Sequence, residues 1–534
     1  MMITDILERV AATAPENIAI MSAEESITYR DLVSRINRVA DRLAELGLRQ
    51  GDAAAIALRN SIHYIVIHFA LAKMGVAAIH LTRGSGLSQL PLMPKHFYPK
   101  FIVTDDSLAE LLKTDDILQF RGVVLCVNIP GSEIITALWV ADRGGDWASE
   151  APLNRRLDDP EAPLAITFSG GSTGRPKAVV TSHRARVATA LALKEAFALQ
   201  RGHKLGVATP LFHSAGLFSW VMPGIAAAAT IVLLRQWKKE DASNIISESR
   251  IDSVFLVPAQ IFDLAHSVEL DDRVSLTRIF HAAAPLSSKI REIVKCRLPR
   301  VTLVEFYGLS ETGTVAVSPP AKRDPENGSV GRVIESVTVD IIGFDEKSLP
   351  AGALGEITVK TDQLFSGYAV EGEPSTYKAP NTTWHRTGDL GRLGANGELY
   401  LEGRVNDVIN RGGVKVFADQ IEAMILKCPG VAACVTVPLE DERLGTVPGT
   451  IVVAQEHANV TKAKIDMYIK SELPGPLRPA RLIICDHIPL TPVGKVDRQK
   501  VIAALQASST LLLKADSNTD VVEVGGLSAG RQRG

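Results

Sequence analysis

Glycines and small hydroxyl residues fill one loop that lies between an apolar segment and a lysine. The stretch from Ile166 to Lys177 reads ITFSGGSTGRPK. Glycines let backbone N–H groups approach an anion, hydroxyls donate hydrogen bonds, and the lysine adds a positive charge. The spacing is not the G-x-x-x-x-G-K-[ST] pattern of the common nucleotide P-loop. The loop therefore predicts a phosphate site of another type, with a polar surface loop as the alternative.

A second loop follows another apolar run and carries one acid. The segment Phe306–Gly313 reads FYGLSETG. Tyr307 is suited to cover a base or line a pocket, Ser310 to donate to a phosphate, and Glu311 to bind Mg²⁺, which prefers hard oxygen ligands. A strand followed by a glycine turn is common, so this pattern alone has an ordinary structural explanation as well.

Two motifs nearer the C-terminus place single polar groups beside glycine or proline. WHRTGD ends at Asp389, whose carboxylate could accept hydrogen bonds from two neighbouring ribose hydroxyls. Taken by itself, this motif is explained equally well by an aspartate that caps a turn. PLTPVGKVDR carries Lys495 on a Pro/Gly-framed loop. Such a loop is stiff enough to aim a side chain, and a solvated lysine is the alternative.

The elements around these loops predict a layered α/β architecture. In the segment ITYRDLVSRINRVADRLAELG, Leu32, Ile36, Val39, Leu43 and Leu46 recur at helical spacing. Downstream, short apolar runs such as FIVTD, LAITFS, KLGVAT and TLVEFYG alternate with helical segments, as in parallel sheets. Open α/β sheets bind ligands beyond the carboxyl ends of their strands. The loops described above follow such strands.

The pattern of apolar residues changes after about Gly328. SVGRVIESVTVDIIGFD and GALGEITVKT alternate like antiparallel or barrel-forming strands. From Val405 onward, helical and strand patterns mix again. We expect domains over residues 1–403 and 404–507, with residues 508–534 as a disordered tail because they lack an apolar period.

Composition narrows the class of protein. The 534 residues carry 58 Lys plus Arg against 60 Asp plus Glu, and this near-balance argues against a nucleic-acid-binding protein. The five cysteines form no CxxC pair, and the N-terminus does not resemble a signal peptide. These features predict a cytoplasmic protein with reduced thiols. The charge-free stretch from Leu205 to Leu234 is predicted to be buried core or pocket wall, because Pro210, His213 and Pro223 suit a membrane span poorly.

Taken together, the motifs resemble those of the ANL superfamily of adenylate-forming enzymes, which includes acyl- and aryl-CoA ligases, luciferases and peptide-synthetase adenylation domains. The resemblance covers about residues 5 to 505. It rests on the four motifs above and on a fifth, LEGRVNDVI, which begins at Leu401 and carries Arg404 and Asn406, and all five stand in the same order as in the family. It implies an α/β fold with a large N-terminal domain of layered α/β subdomains, a small barrel-like subdomain, and a small mobile α+β C-terminal domain. It also implies an ATP-dependent enzyme that converts an organic acid to an acyl-adenylate and then to a CoA thioester.

The resemblance assigns roles to individual residues. Lys495 would reach the reacting carboxylate and α-phosphate, Glu311 would bind Mg²⁺, and His213 would belong to the CoA-ligase pocket element PLFHSAGL. These three are the catalytic candidates. The ATP-binding candidates are Ser169, Gly170, Gly171, Ser172, Thr173, Gly174 and Lys177 at the phosphates, Ala283, Ala284 and Tyr307 near adenine, Ser310 near phosphate, and Asp389 and Arg404 on the ribose.

Departures from the family pattern leave the acceptor open. Gly170 replaces a usual serine, Asn406 stands at the hinge where Asp or Lys is usual, and Ala418 and Gln420 stand where Pro and Glu are common. The charges needed for adenylation are all present. CoA is therefore the leading acceptor, with a carrier protein, an amine or another nucleophile as the alternative. A non-catalytic nucleotide- or acyl-binding protein is the third hypothesis. The sequence favours an acid without a free α-amine, and leaves a monomer or a homodimer open.

Overall fold

The computed structural model describes most of the chain. The described residues are 1–82, 85–105, 123–127, 135–140, 158–169, 177–234, 237–267, 275–282, 286, 288–318, 328–369, 384–412, 414–455, 458, 461–489 and 496–507. They divide into two compact units. The larger comprises Met1–Gly170, Pro176–Thr387 and Arg392–Tyr400, and the smaller comprises Gly171–Arg175, Gly388–Gly391 and Leu401–Gly534. The predicted tail, residues 508–534, lies outside the described residues.

Both units contain helices. The α-helices are α1 Ile3–Thr13, α2 Tyr29–Glu45, α3 Ile62–Met74, α4 His183–Ala196, α5 Ser214–Gly216, α6 Met222–Ala226, α7 Lys239–Glu248, α8 Pro258–Ser267, α9 Ser288–Arg297, α10 Ala418–Ile425, α11 Lys462–Glu472 and α12 Arg498–Ala507. A π-helix spans Leu217–Val221. The 3₁₀ helices are Ser85–Leu92, Lys95–Phe97, Val405–Asp407 and Gly475–Leu477.

Strands alternate with these helices along the chain. In the larger unit's first part they are β1 Ile18–Met21, β2 Ser26–Thr28, β3 Ala53–Ala57, β4 Ala77–His80, β5 Phe101–Thr104, β6 Val123–Val127, β7 Ile135–Val140, β8 Pro163–Ser169, β9 Lys177–Ser182, β10 Lys204–Val207, β11 Thr230–Leu233, β12 Ser253–Phe255 and β13 Arg278–His281. The remaining strands are β14 Thr302–Leu309, β15 Gly313–Val317, β16 Ser329–Val333, β17 Val337–Ile342, β18 Gly355–Thr361, β19 Gly367–Tyr368, β20 His385–Leu393, β21 Glu398–Arg404, β22 Val408–Arg411, β23 Val414–Phe417, β24 Val431–Asp441, β25 Gly445–Ala454 and β26 Arg481–Cys485.

Two large sheets form the body of the larger unit. One has the order β17-β18-β20-β21-β16-β15-β14-β13-β12-β10-β11-β1-β2, and the other β19-β9-β8-β4-β3-β5-β6-β7. Strands β10 to β14 pair in parallel, as the alternation of strand and helix predicts. The antiparallel strands predicted after Gly328 are present and continue the same sheet through β14, β15 and β16.

Local sequence explains the helices that flank these sheets. Thr28 caps α2, since its hydroxyl accepts from the Asp31 N–H, and Leu32, Ile36 and Leu43 form the buried stripe that their spacing predicts. Helix α3 is apolar on all sides, and its residues from Tyr64 to Ala72 are buried. It begins after the capping residue Ser61 and ends at Gly75, whose left-handed conformation (φ +69°) suits glycine.

The core of the larger unit lies between helices and parallel strands. Ile246 of α7, Leu264 of α8 and Val294 of α9 pack with Val254 and Ile279 of the sheet in one buried apolar cluster. Ala55, Ile79, Ile102 and Ile166 form another around the second sheet. Removing this apolar area from water stabilises the fold by about 25 cal/mol per Å². The two sheets therefore hold rigid the strand ends that carry the functional loops.

The smaller unit has its own mixed sheet and core. Strands β23, β22, β25 and β24 pair in that order, and β26 adds in parallel to β25. Helix α10 and helix α11 contribute Ile421 and Ile465 to a buried cluster with Val452. The predicted fold class is confirmed: the protein is a mixed α/β protein with a large N-terminal and a small C-terminal domain. None of the described helices is long and apolar enough to cross a membrane.

The charge-free stretch from Leu205 to Leu234 is buried, as predicted. It forms β10, two short helices around the π-helix, and β11. Leu205, Phe218 and Trp220 are each at most 1% exposed. The Trp220 indole N–H donates to the Gly206 carbonyl at 2.8 Å, which satisfies its polar group in the core.

Candidate active site

The predicted phosphate loop connects two antiparallel strands. Strand β8 ends at Ser169 and β9 begins at Lys177, and these two residues are register partners. The ladder therefore fixes both ends of the loop and sets the hydroxyl and the ammonium side by side. Gly170, Gly171, Ser172, Thr173 and Gly174 lie outside the described residues, so their role in phosphate binding stays a prediction.

Glu311 is the centre of a polar cluster that includes residues at both ends of the phosphate loop. It occupies the turn between β14 and β15 and is 9% exposed. Its Oε1 accepts from the Tyr368 hydroxyl at 3.1 Å and from the Ser169 hydroxyl at 3.4 Å. Lys177 Nζ lies 5.0 Å from the centroid of the Tyr368 ring. The structure thus brings together Ser169, Lys177 and Glu311, which the sequence places on two separate motifs.

Sequence reasoning missed Tyr368. It lies 57 residues from Glu311 along the chain and belongs to no motif, so no local signal indicated it. The short strand β19 places it, because Tyr368 pairs with Val179 of β9. Burial raises the pKa of the Tyr368 hydroxyl, and the negative charge of Glu311 and the hydrogen bond to it raise that pKa further. The hydroxyl therefore stays a neutral donor that orients the carboxylate.

The chemistry of this donor set fits a magnesium ion bound with a nucleotide. Mg²⁺ is usually held by one or two carboxylates together with substrate phosphates. Glu311 supplies one oriented carboxylate, and the hydroxyl and lysine at the hairpin ends are suited to the phosphates. Among the described residues there is no group of three or more His, Cys, Asp or Glu side chains that could hold a metal. The part of the site described therefore matches a metal that needs substrate oxygens.

The carboxyl ends of β13 and β14 position the predicted adenine-side residues. Phe280 pairs with Val304 and His281 with Glu305, so the segment after β13 starts beside the strand that continues to Tyr307. Tyr307 is 8% exposed, and Ser310 follows the end of β14. Ala283 and Ala284 lie outside the described residues.

Gly308 shows why this motif needs glycine. A Cβ at this position would lie 2.1 Å from the Gly313 carbonyl oxygen. The register of β14 with β15 also shifts between Tyr307 and Gly308. The irregular pairing brings the two backbones together and turns the chain toward Glu311.

A buried ion pair supports the two strands. Arg291 Nη2 donates to Glu305 Oε2 at 2.6 Å, and the buried His281 lies 4.0 Å from the same oxygen. Burial raises the pKa of Glu305, while Arg291 opposes that rise. Burial also lowers the pKa of His281 to about 3, so its imidazole is neutral. The pair holds β14 against α9 directly before Tyr307.

Asp389 and Arg404 lie in the smaller unit and contact each other. Arg404 Nε is 2.9 Å from Asp389 Oδ1, and the carboxylate is 7% exposed whereas the arginine is 46% exposed. Asp389 belongs to β20 and follows Gly388, whose φ is +73°. The turn-capping explanation of this motif is therefore wrong, because Asp389 lies within the strand β20. The ion pair fixes the Asp389 carboxylate beside a cation, and its predicted role at the ribose stays a prediction.

Of the three remaining predicted residues, the structure describes His213 and Asn406 but not Lys495. His213 precedes α5, and its ring centroid lies 4.4 Å from that of Phe212. Asn406 lies in the 3₁₀ helix Val405–Asp407. Lys495 lies outside the described residues. The catalytic roles of His213 and Lys495 stay predictions.

Comparison with known proteins agrees with the fold and the motifs. A family model described as AMP-binding enzyme matches residues 7–369, and a model of the AMP-binding enzyme C-terminal domain matches residues 420–495. 4-Coumarate–CoA ligase 5 of Oryza sativa subsp. japonica is 26% identical over 498 residues, covering 90% of each chain. Indoleacetate–CoA ligase of Aromatoleum aromaticum is 26% identical over 512 residues, covering 94% of this chain and 98% of that protein.

A solved structure shows the same architecture. The amide bond synthetase McbA from Marinactinospora thermotolerans superposes with a TM-score of 0.78 at 25% identity, covering 94% of this chain and 99% of that one. The chain belongs to the family of AMP-binding enzymes, and its predicted place in the ANL superfamily is confirmed. It is an AMP-forming enzyme of the acid–CoA ligase type.

Proposed function

We propose that this enzyme activates an organic carboxylic acid with ATP and transfers the acyl group to CoA. The observation that carries the proposal is the Glu311 carboxylate, which accepts from Ser169 at the start of the phosphate loop and is oriented by Tyr368. The named relatives act on 4-coumarate and indoleacetate, which supports an aryl or other small organic acid as substrate.

In the first half-reaction, a carboxylate oxygen attacks the α-phosphorus of ATP. The bond between the α-phosphorus and the bridging oxygen breaks, and pyrophosphate leaves with the electron pair. Since two anions must meet, catalysis depends on positioning and on cancelling charge. Bound Mg²⁺ would supply charge neutralisation at the phosphate oxygens, with Glu311 as its protein ligand. Lys177 would bind the β- and γ-phosphates, and Lys495 would hold the reacting carboxylate beside the α-phosphate.

Asp389 and Arg404 would fix the nucleoside. Asp389 would accept from the two ribose hydroxyls, while Arg404, 2.9 Å from its Oδ1, would hold the carboxylate in place. Tyr307 would lie against adenine. Fixing the ribose and base aligns the α-phosphorus for in-line attack, which is how remote contacts accelerate a transfer reaction.

In the second half-reaction, the CoA thiolate attacks the acyl carbon of the adenylate. The thioester forms as the bond to the phosphate oxygen breaks and AMP leaves. The adenylate is a good acyl donor because AMP is a stable leaving group. As the resemblance implies, movement of the small domain would withdraw Lys495 and admit the thiol, so that one chain serves both steps.

A panel of carboxylic acids tests the first step. Purified enzyme, ATP and MgCl₂ should release pyrophosphate only with certain acids, and adding CoA should yield a thioester and AMP in equal amounts. Lys495→Ala should lower the adenylation rate on the order of 100-fold or more, with nucleotide binding unchanged. Lys500→Ala is the matched control, since Lys500 is an exposed lysine on nearby α12. Equal rates for Lys495→Ala and wild type would contradict the assignment of Lys495.

An amine acceptor is the second candidate. McbA is named as an amide bond synthetase and is as similar to this chain as the CoA ligases are. Asn406, Ala418 and Gln420 also depart from the family pattern in the hinge region that serves the thiol step. Acid-dependent pyrophosphate release without any thioester, followed by amide formation with added amines, would favour this function. If no acid supports exchange of pyrophosphate into ATP, a non-catalytic binding protein is favoured instead.

A further inference from the structure

A group of four buried polar side chains and one phenylalanine lies in the larger unit. Its members are Tyr64 and His68 of α3, His80 of β4, Arg186 of α4 and Phe218 of the π-helix; we call them the Arg186 cluster. All five are at most 2% exposed. The Phe218 ring is their common neighbour: the Arg186 guanidinium carbon lies 4.3 Å from its centroid, and the His68 and His80 rings lie 5.6 Å away.

Several hydrogen-bonding atoms of this cluster have no protein partner among the described residues. Arg186 Nε donates to the Thr181 hydroxyl at 3.1 Å, while Nη1 and Nη2 have no acceptor. His80 Nδ1 bonds to the Tyr64 hydroxyl at 2.7 Å, while Nε2 has no partner, and neither nitrogen of His68 has one. Buried polar groups are nearly always hydrogen-bonded in folded proteins. This concentration of unpaired nitrogen atoms indicates that a bound ligand forms hydrogen bonds with them.

The protonation states of Arg186, His80 and His68 indicate the charge and the acceptor groups that the missing partner must have. Burial lowers the pKa of Arg186 to about 9, and Glu311 opposes the shift, so the guanidinium remains a cation at neutral pH. Burial lowers the pKa of His80 to about 3 and that of His68 well below its usual value, so both rings are neutral. We assign the His80 proton to Nε2, because the Tyr64 hydroxyl has no other acceptor in the described part of the chain. The cluster therefore presents one cation and at least one neutral N–H donor.

The cluster is connected to the predicted site by one electrostatic interaction and by the elements that carry its members. Arg186 interacts electrostatically with Glu311, the predicted magnesium ligand. His80 is the last residue of β4, which pairs in parallel with β8, the strand that ends at Ser169. Phe218 follows His213 by five residues and lies in a π-helix, a local geometry that is frequent at functional sites.

We propose that the Arg186 cluster binds a second carboxylate of the acid substrate, so that the preferred substrate is a dicarboxylic acid. One carboxylate is adenylated, and the other is held by Arg186 Nη1 and Nη2 and by His80 Nε2. This inference rests on the proposed function and narrows its substrate class.

Carboxylate chemistry suits these donors. A guanidinium presents parallel N–H groups that match a carboxylate in a two-point hydrogen bond. A monocarboxylic acid with an apolar tail would leave the buried cation unpaired. Sites built to hydrogen-bond a substrate group discriminate strongly against analogues that lack it, because their own polar groups then stay unsatisfied. The cluster should therefore select for the second acid as well as bind it.

Matched pairs of acids test the proposal: hexanoate with adipate, and 4-methylbenzoate with terephthalate. In acid-dependent ATP–pyrophosphate exchange, we expect kcat/KM to be at least about 10-fold higher for the diacid of at least one pair. Arg186→Met should remove that preference while leaving the KM for ATP unchanged. Arg184→Gln is the control, since Arg184 lies on the same helix but pairs with Glu161 at 2.6 Å; it should keep the wild-type preference.

Four results would overturn the dicarboxylate proposal, and a fifth would refute the proposed function. Equal use of monoacids and diacids by the wild type would do so without touching the proposed function. An unchanged preference in soluble Arg186→Met would do the same. If that variant fails to fold, His80→Gln replaces it, and an unaltered diacid preference there would count against the cluster. No exchange with any acid would instead refute the proposed function itself. Protection against heat by acetate or phosphate equal to that by adipate would reveal an unselective anion site only.

Discussion

Replacing Glu422 by glutamine should stabilise the small C-terminal unit above neutral pH. Glu422 lies on α10, and its Oε1 accepts from the Thr436 N–H at 2.6 Å. Burial raises the pKa of Glu422 from 4.5 to about 7; the Thr436 bond opposes this rise, and the Asp419 carboxylate adds to it. The folded protein therefore keeps a carboxyl group whose ionisation is costly.

The sign and size of the effect follow from linkage. Because the folded-state pKa lies above the unfolded value, the folded state binds more protons between about pH 4.5 and 7, and stability falls as pH rises through this window. A shift from 4.5 to about 7 corresponds to about 3 kcal/mol at 1.36 kcal/mol per pKa unit. Glutamine keeps an oxygen for the Thr436 N–H and carries no charge. The gain should be about 3 kcal/mol at pH 8 and about 1 kcal/mol at pH 5.

Hydrogen exchange of the full-length protein measures this gain locally. At pH 8, peptides from α10 and β24 should exchange on the order of 100-fold more slowly in Glu422→Gln than in wild type, and the difference should shrink at pH 5. Glu442→Gln is the control, because Glu442 is exposed in the turn between β24 and β25. An equal difference at both pH values, or none at pH 8, would refute the reasoning.

Three further predictions concern the site itself. Glu311→Gln should lower adenylation roughly 100- to 1,000-fold and raise the Mg²⁺ concentration needed, since the oriented charge is lost; unchanged Mg²⁺ titrations would contradict its role. Asp389→Asn should lower kcat/KM for ATP about 10- to 100-fold, with little further loss for 2′,3′-dideoxyATP, because both changes remove one interaction; full additivity would argue against ribose binding. Gly308→Ala should lower the thermal midpoint and adenylation, because its Cβ would lie 2.1 Å from the Gly313 oxygen. Gly475→Ala, with nothing within 4 Å, should do neither; similar midpoints for the two variants would exclude this steric explanation.

Local patterns predicted the elements well because each depends on neighbouring residues. The stripe of Leu32, Ile36 and Leu43 specifies α2, and the apolar runs of the first 330 residues form strands at the predicted places. Burial of the stretch from Leu205 to Leu234 was also predictable, since a run that has no charged residue and is interrupted by two prolines favours a protein core.

Contacts between distant segments were not predictable in this way. Tyr368 reaches Glu311 only because β19 pairs with β9, and no residue near Tyr368 signals that pairing. Arg186 follows a capping serine on a helix with other charges, a pattern that is usual for a solvated face. Only the packing of Phe218 against it shows that its guanidinium is buried. The turn-capping alternative for Asp389 followed from Gly388 before it, whereas the structure places Asp389 within the strand β20.

Acid-dependent exchange of labelled pyrophosphate into ATP, followed with and without CoA, tests the central claim most directly. Exchange is expected with at least one carboxylic acid in the absence of CoA, because the adenylate forms before the thiol takes part. Adding CoA should convert the same acid to its thioester with one AMP per thioester. Cleavage of ATP to ADP, or pyrophosphate exchange that does not depend on any acid, would contradict the account.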